Sequence, residues 1–324
     1  MLTALAGLTG ILLSIASAVV QAQAYPTKTI TMIVPFGAGG GVDTAARITG
    51  AKLAEVLKQP VVIENVAGAA GTIGTARVAR SAADGYTLLF AVASPINVAP
   101  LVAPSMVRYD VFADLTALSI VGMSPFVLIG RTALEASNTA ALLALSRSQP
   151  GKLNFGTDGV GGSLHITGEL INQRAGIQLV HVAYKSGPQV LSDVAAGHLD
   201  LAILPLTLAQ PLIRDNKVRA YGVSSLRRWP TAPDVPALAE APGLKDFEMD
   251  SWLGIFAPAK LDAAIVTTLS RAIQAVTEDA GVVKRFADAA IQPQVISGDA
   301  FTAYLQRERA MIREVVQKAG IKVE

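Results

Sequence analysis

The chain has 324 residues, enough for two ordinary domains or one large one, and 51% of them are apolar, so a sizeable core can be buried. The 27 Lys and Arg nearly balance the 25 Asp and Glu, and no basic stretch is dense enough to indicate a nucleic-acid-binding protein. The lack of cysteine excludes structural disulfides, thiolate metal sites and a lipid anchor on an N-terminal cysteine.

The N-terminal segment is typical of a secretory signal peptide. Residues 1–27 carry no charged side chain, residues 5–20 are apolar with small residues, and Ala22-Gln23-Ala24 matches the A-x-A pattern of a signal-peptidase site. We therefore expect cleavage after Ala24 and export as a soluble protein, although the usual Lys or Arg of an n-region is missing. An uncleaved membrane anchor is less favoured, because the apolar run is short and interrupted by Gly, Ser and Thr. No later stretch resembles a transmembrane segment.

The first predicted elements are a strand, a glycine-rich loop and a helix. Residues 29–34 are rich in β-branched side chains, and residues 44–58 place their apolar side chains on one helical face. Between them, Gly39, Gly40 and Gly41 let the backbone turn sharply and let a ligand approach the peptide N–H groups. The first N–H groups of a helix lack partners and carry a partial positive charge, so this loop predicts an anion site that needs no Lys or Arg.

Other interpretations of this loop have less support. Many strand–glycine–helix turns are only tight connections. The dinucleotide fingerprint G-x-G-x-x-G fits Gly37 and Gly39 but has Val42 at its third glycine, and the Gly-Lys-Ser/Thr of a P-loop is absent. A small anion is therefore favoured over a dinucleotide or a triphosphate.

The remaining pattern alternates strands with helices, which predicts an α/β sheet covered on both faces. The opening elements form a βαβ unit with a parallel strand pair, and a small-residue loop spans residues 65–74. The further predicted strands are 61–64, 87–91, 117–121, 126–129, 153–155, 179–182, 199–204, 219–223, 252–257 and 294–296, and the further helices are 72–81, 140–148, 163–174, 188–196, 208–213, 262–278, 281–289 and 299–318.

A later strand, loop and helix repeat the opening pattern. Residues 156–162 form a second glycine-rich loop, and a helix follows from Ser163. Two such loops far apart in sequence suggest two lobes, each presenting a helix N-terminus to a shared cleft. Ligands of open α/β sheets bind beyond the carboxyl ends of the strands, and two-lobed binding proteins that close by hinge motion have this form.

Several spaced motifs resemble those of the Bug (TctC-like) family, the extracytoplasmic solute-binding proteins of tripartite tricarboxylate transporters. The motifs occur in the family's order and cover nearly all of the chain after residue 24. They are V-P-F-x-x-G-G-x-x-D at 34–43, N-x-x-G-A-x-G-x-x-G at 65–74, D-G-Y-T-L-L at 84–89, P-G-K-L-N-F-G at 150–156 with His165 beyond it, V-x-Y-K at 182–185, P-D-V-P at 233–236 and S-W-x-G-x-x-A-P at 251–258.

The resemblance implies a two-lobed periplasmic binding protein of type II (the Venus flytrap form), with each lobe a mainly parallel sheet flanked by helices. The expected limits are a signal peptide at 1–24, lobe 1 at 25–124 with 249–324, and lobe 2 at 125–248. A small carboxylate ligand is implied, without catalysis or a cofactor. The implied partners are the membrane permease subunits of a tripartite tricarboxylate transporter, with a sensor kinase as the alternative, and a monomer is the default for this architecture.

The resemblance also implies where the ligand binds. Family members grip one ligand carboxylate with the first loop and with the glycine-rich loop of the second lobe, largely through backbone groups and bridging water. Carried onto this chain, the ligand-binding residues are Phe36, Ala38, Gly39, Gly40, Asp43, Val160, Gly161, Gly162 and Ser163, with His165 and Tyr184 as further candidates.

The polar candidates have structural interpretations as well. A free carboxylate would repel a bound one, so we expect Asp43 to cap helix N–H groups or to orient a water. A plain N-cap role fits Asp43 equally and also fits Ser163. His165 is expected to be a structural hydrogen bonder rather than a ligand contact, and His165, His181 and His198 have no metal-site spacing.

One position departs from the family pattern. Many relatives carry Asp-Asn where this chain has Leu204-Pro205, and the family's Asp meets the distal or amino end of the ligand. The segment after the third strand is also apolar, with Ser94 as its main hydroxyl. These residues predict a less polar ligand tail, as in an aromatic or aliphatic monocarboxylate.

An exported enzyme belongs to a different functional class. The sequence has no G-x-S-x-G elbow, no H-E-x-x-H zinc motif and no paired-carboxylate motif. A dinucleotide-binding oxidoreductase is disfavoured by Val42. Binding without catalysis is therefore the favoured function.

Overall fold

The structure, a computed structural model, describes residues 25–323, and the predicted signal peptide at 1–24 lies outside them. Between residues 25 and 323, no helix is both long enough and apolar enough to cross a membrane. The described chain forms two lobes, each built on one β-sheet flanked by helices.

Strands form the centre of both lobes. In chain order they are β1 (Ile30–Val34), β2 (Val61–Asn65), β3 (Thr87–Ala91), β4 (Leu115–Ser124), β5 (Phe126–Gly130), β6 (Asn154–Thr157), β7 (Val180–Ala183), β8 (Leu201–Pro205), β9 (Arg219–Val223), β10 (Ser251–Pro258) and β11 (Gln292–Ser297). The sheet of lobe 1 has the order β11-β4-β10-β3-β1-β2, and the sheet of lobe 2 has the order β7-β6-β8-β5-β9.

Helices cover both sheets. They are α1 (Gly41–Leu57), α2 (Thr72–Ala79), α3 (Ala99–Val102), α4 (Val111–Asp114), α5 (Thr139–Ser148), α6 (Ser163–Ala175), α7 (Gly187–Ala196), α8 (Leu206–Arg214), α9 (Ala263–Glu278), α10 (Ala280–Asp288) and α11 (Gly298–Ala319). The helix α1 begins before its predicted start at residue 44, because the extended Gly40 serves as its N-cap. The irregular region after β3 contains a π-helical segment, Ser94–Val98.

Both sheets are mixed, which corrects the expectation of mainly parallel sheets. Parallel pairs join β1 to β2 and β3, and β6 to β7 and β8. Antiparallel pairs join β10 to β3 and β4, β11 to β4, and β5 to β8 and β9. The cause is the path of the chain, since β4 runs out of lobe 1 into β5 and β10 returns between β3 and β4 in the opposite direction.

The apolar core has two parts. One cluster lies in lobe 1, between the sheet and the helices α1, α9 and α10. The other begins on the opposite face of that sheet, includes the buried side of α11, and continues through lobe 2. Continuous apolar packing therefore joins the lobes behind the cleft.

The two chain crossings between the lobes lie side by side. The backbone N–H of Phe126, after the first crossing, donates to Ser224 Oγ over 2.9 Å. The Ser224 hydroxyl donates in turn to Asp250 Oδ1 over 2.8 Å, next to the second crossing. We propose the lobe limits 25–124 with 249–324 and 125–248, which the division of the strands between the two sheets supports.

Candidate functional site

The glycine-rich loop of lobe 1 is held by a side chain of the helix that follows it. Gly39 has a φ of +82°, a left-handed conformation that favours glycine, and Gly40 then forms an extended N-cap with φ of −76° and ψ of 170°. Asp43, in the first turn of α1, reaches back, and its Oδ2 accepts the Gly39 N–H over 2.9 Å. The Gly39 N–H is therefore already used within the loop.

The Asp43 carboxylate is the centre of a wider hydrogen-bond network. Asp43 is only 2% exposed. Its Oδ2 also accepts from Arg47 Nε over 2.9 Å, and its Oδ1 accepts from Asn65 Nδ2 over 2.9 Å. The Arg47 guanidinium, helped by the Gly39 and Asn65 donors, lowers the pKa of Asp43 to about 2. Asp43 is thus not the N-cap residue; it binds the loop as a permanently charged acceptor.

Asn65 joins this loop to the next one. Its Nδ2 also donates to the Phe36 carbonyl oxygen over 3.0 Å. Arg47 donates to Asn65 Oδ1 over 3.1 Å. Since Asn65 ends β2 and opens the loop at 65–71, the two loops of lobe 1 are fixed to one another.

The glycine-rich loop of lobe 2 has the same backbone design. Gly161 has a φ of +72°, and Gly162 is an extended N-cap of α6 with φ of −82° and ψ of 169°. His165, in the first turn of α6, accepts the Gly161 N–H at its Nδ1 over 3.0 Å. Because Nδ1 accepts, the His165 proton lies on Nε2. The position that is Asp43 in lobe 1 is therefore a histidine in lobe 2.

A second histidine supports the first. The rings of His165 and His181 stack with centroids 3.7 Å apart. His181 Nε2 lies 2.7 Å from Thr157 Oγ1, and the Thr157 hydroxyl donates to the Gly159 carbonyl over 2.9 Å. Burial lowers the pKa of each histidine to about 4, and for His181 the neighbouring His165 adds to the effect. Both rings are neutral at pH 7, as the acceptor role of His165 requires.

A cavity of about 360 Å³ lies between the lobes beside this second loop. Lobe 2 contributes its glycine-rich loop, and lobe 1 contributes the loop before α2 and the irregular region after β3. The lining residues are Ala69, Ala70, Thr72, Ser94, Ala99, Val102, Ala103, Met106, Asp158, Gly159, Val160, Gly161, Gly162 and Val323. The cavity thus combines two helix N-termini, those of α2 and α6, with an apolar wall.

The predicted ligand-binding residues fall into two groups. Ser94, Val160, Gly161 and Gly162 line the cavity. The others lie outside the lining: Phe36, Ala38, Gly39, Gly40 and Asp43 belong to the first loop, Ser163 opens α6, and His165, Tyr184 and Leu204 lie within lobe 2. The first loop lies next to the lining. Gly71 stands between the lining residues Ala70 and Thr72, and a Cβ added at Gly71 would lie 3.2 Å from Phe36 Cζ of the first loop.

Two of the residues in lobe 2 have structural surroundings. Leu204 is fully buried in β8, opposite Val127 of β5, so its side chain packs in the core of lobe 2. Tyr184 donates its hydroxyl to Asp193 Oδ2 over 2.9 Å. Leu204 is therefore not available to contact the ligand tail that was predicted from it.

Sequence reasoning missed several lining residues. Asp158 lies in the predicted glycine-rich loop at 156–162, and its charged side chain was the feature that could have marked it as a candidate. Ala69 and Ala70 have positive φ values of 47° and 53°, which nothing in their residue type indicates. Val323 reaches the cavity because its N–H donates to the Val102 carbonyl over 2.9 Å, a tertiary contact without a local pattern.

The described residues offer no alternative site with metal-binding chemistry. No group of three or more His, Cys, Asp or Glu is placed to hold a metal ion within residues 25–323. A cavity of about 540 Å³ lies on lobe 2 between α8 and residues 231–235. It is formed by one lobe alone and contains neither glycine-rich loop, so the smaller cavity between the lobes is the better candidate.

Comparison with known proteins decides the family. A family model described as the tripartite tricarboxylate transporter family receptor matches residues 45–321. The chain belongs to this family. It is 35% identical over 329 residues to Protein BugT of Bordetella pertussis, with 100% of this chain and 99% of that protein covered.

Solved structures agree with the fold. The R. palustris protein Rpa4515 with adipate has a TM-score of 0.78 at 30% identity, covering 92% of this chain and 99% of that one. The periplasmic binding protein BugD has a TM-score of 0.75 at 29% identity, covering 93% of this chain and 100% of that one. The two-lobed α/β fold is confirmed, and the chain is a member of a family of periplasmic solute-binding proteins rather than of enzymes.

Proposed function

We propose that the protein captures a small carboxylate in the cavity between its lobes and delivers it to the membrane permease of a tripartite tricarboxylate-type transporter. The placement of Gly161 and Gly162 in the cavity wall carries the proposal, because they form the N-terminus of α6. The N-cap residue of α6 is Gly162, which has no side chain to accept from the first N–H groups of the helix. The free N–H groups of that first turn can therefore receive an anion.

Lobe 1 places the start of a second helix at the cavity. Thr72 is the first residue of α2 and lines the same cavity, and its N–H and its hydroxyl both donate to the Ala69 carbonyl. We propose that the first loop, at Phe36, Ala38 and Gly40, joins the contact when the lobes close on a ligand. The link through Asn65 and the short distance from Phe36 to Gly71 support this role. Closure would be driven by contacts that the ligand makes only in the closed state.

A substitution at the N-cap of α6 tests the anion site without unfolding the helix. A Cβ at Gly162 would meet no atom within 4 Å, and Gly162 already has the extended conformation of an N-cap. In Gly162→Asp, the new carboxylate would cap α6 and repel a ligand carboxylate. We expect a stable protein, because Asp is a favoured N-cap, and a loss of affinity of at least about tenfold, the effect of 1.4 kcal/mol.

Matched variants separate charge from occupancy. Gly162→Asn also caps α6 but carries no charge, so we expect it to weaken binding less than Gly162→Asp does. Gly40→Asp places the same carboxylate in the first loop, where only ordinary contacts meet a Cβ. Calorimetric titration with mono- and dicarboxylic acids measures the ligand affinity of all three variants. Unchanged affinity in Gly162→Asp would contradict the site, and unchanged affinity in Gly40→Asp alone would remove the first loop from it.

Delivery needs its own measurement. We propose that uptake of a bound acid into vesicles carrying the permease subunits depends on this protein, and that Gly162→Asp abolishes uptake. Uptake that proceeds equally without the protein would contradict delivery. We also propose that the mature protein starts at Tyr25, is a monomer and returns its ligand unchanged, which N-terminal sequencing and native mass spectrometry of the exported protein can test.

A further inference from the structure

Asp158 is the one ionisable side chain in the wall of the cavity between the lobes, as far as the described residues show. The other lining residues are glycines, small or apolar residues, and the hydroxyl residues Thr72 and Ser94. No Lys, Arg or His of the described chain lines the cavity. The only formal charge in this wall is therefore negative, although the proposed ligand is an anion.

Among residues 25–323, no group of opposite charge pairs with the Asp158 carboxylate. Within residues 25–323, its hydrogen bonding is limited to its own backbone N–H. The residue as a whole is exposed, and partial desolvation by the surrounding protein raises the pKa of its carboxyl group. When the lobes close and water leaves the cavity, an uncompensated carboxylate becomes costly, whereas a paired one does not. A ligand that supplies the partner would favour closure.

The charge of the ligand decides whether it can supply that partner. A dicarboxylate would bring two negative charges to a wall that already holds one, and the helix N-termini offer only partial positive charges. An acid with a cationic nitrogen could place its carboxylate on the N–H groups of α6 and its cation on Asp158. The carbon chain between them would lie against Val102, Ala103 and Met106.

We propose that Asp158 selects ligands that carry an ammonium or related nitrogen cation together with the carboxylate, so that the preferred ligand is a zwitterion. This inference rests on the proposed function, since it assumes that the carboxylate binds at α6. It differs from the apolar monocarboxylate that Leu204 suggested. Asp158 is a specificity-determining residue in this scheme, and the backbone loops bind the carboxylate common to all ligands.

Matched ligands test the scheme by calorimetric titration of the mature protein. One set compares 6-aminohexanoate with heptanoate, which replaces the ammonium by a methyl group, and with adipate. A second set compares 4-aminobutanoate with pentanoate and succinate, and a third compares norleucine with 2-methylhexanoate. We expect at least one ammonium acid to bind about tenfold or more tightly than its methyl analogue, as a charge-assisted hydrogen bond predicts.

The variant Asp158→Asn should remove this preference. We expect this variant to bind the ammonium acid about tenfold or more weakly and to bind the methyl analogue within about twofold of the native affinity. Asn removes the charge of the side chain and keeps its shape. The matched control is Asp246→Asn, which removes the same charge from an exposed residue outside the cavity lining. Circular dichroism and thermal unfolding confirm that each variant is folded.

Three outcomes would overturn the inference. If the dicarboxylates bind more tightly than every ammonium acid, and Asp158→Asn does not alter this order, Asp158 does not determine the ligand preference. Loss of dicarboxylate binding in Asp158→Asn would show a protonated Asp158 donating to a carboxylate. A change in thermal stability without any change in selectivity would show that Asp158 serves only the α6 terminus. If no carboxylate of any series binds, the proposed function fails as well; if carboxylates bind without an ammonium preference, only this inference fails.

Discussion

The two glycine-rich loops share a backbone and differ in the side chain that holds it. In each loop, a glycine of positive φ donates its N–H to the side chain of the residue four positions later. The next glycine, Gly40 or Gly162, is the extended N-cap of the helix and makes no side-chain hydrogen bond. Lobe 1 uses the charged Asp43, and lobe 2 uses the neutral His165. Both loops therefore place an acceptor at this position, and the charge of that acceptor differs between the lobes.

The difference has an electrostatic consequence. Asp43 is paired with Arg47 and lies outside the cavity lining, so its charge is balanced within lobe 1. The loop of lobe 2 lies in the cavity wall and is held by a neutral side chain, while Asp158 in the same loop has no charged partner among the described residues. A charged acceptor in place of His165 would put a second carboxylate close to the proposed ligand.

The largest effect is expected from removing the acceptor of lobe 1. Asp43→Ala would leave the Gly39 N–H and the Asn65 amide without their partner and should lower the free energy of unfolding by about 3 kcal/mol. Urea-induced unfolding measures the change. Asp43→Asn is the matched control, because it keeps an acceptor of the same size; we expect it to cost about 1 kcal/mol. Equal losses in the two variants would show that charge, not the loop hydrogen bond, is what matters.

In lobe 2 the corresponding change is His165→Phe. The phenyl ring can still stack on His181, but it cannot accept the N–H of the buried Gly161. We expect the free energy of unfolding to fall by about 2 kcal/mol, the cost of a buried donor left without an acceptor. His198→Phe serves as the control, because the side chain of His198 is 74% exposed. A loss below about 0.5 kcal/mol would contradict the acceptor role of His165, since that is the range of ordinary surface changes.

The glycines themselves should also distinguish the loops. In Gly39→Ala, the new Cβ would have no atom within 4 Å, so the only strain comes from the positive φ. We expect this strain to lower the free energy of unfolding by about 1 kcal/mol. At Gly161, a Cβ would also lie 2.7 Å from Val323 Cγ2, so we expect about 1 kcal/mol more destabilisation and weaker ligand binding. Gly37→Ala is the control, with open space and no positive φ. Equal unfolding midpoints for Gly39→Ala and Gly161→Ala would contradict the packing of Val323 on the loop.

Much of the fold could be predicted from local patterns. The strand–loop–helix units were found because β-branched runs, glycines and amphipathic helices follow one another over short stretches. The mixed sheets were missed, because the insertion of β10 between β3 and β4 is set by a chain path through the other lobe. Sequence periodicity records the faces of a strand but not the direction of its neighbours.

The site was predictable only where backbone chemistry marks it. Gly161 and Gly162 were predicted because a glycine-rich turn before a helix leaves N–H groups open to a ligand, and both residues line the cavity. The burial of Leu204 was missed, because a position taken from relatives does not show which way the side chain points. The joint role of His165 and His181 was missed too, since their stacking depends on the pairing of β6 with β7 and on α6 above it.

The pH dependence of stability should separate the two loops, although buried acids act in the opposite sense. The pKa of His165 and of His181 falls from 6.5 to about 4, so the unfolded chain binds more protons between these values and a falling pH destabilises the fold. Asp43, lowered from 3.8 to about 2, loses its contribution only below pH 3.8. Burial raises the pKa of Asp250 and of Glu308 to about 7, so these acids add stability as the pH falls from 7 towards 4.

Difference measurements remove the contribution of the buried acids, which native protein and variants share. We expect the stability of the native protein relative to His165→Phe to fall between pH 6.5 and 4, by at most about 1.4 kcal/mol per pH unit, because a single group binds at most one proton. The difference between the native protein and Asp43→Asn should stay constant over that range and shrink only below pH 4. Urea unfolding at pH 7, 6, 5 and 4 gives both differences. Parallel curves for the native protein and His165→Phe would contradict a neutral, buried His165, because the loop of lobe 2 would then be no more sensitive to pH than the loop of lobe 1.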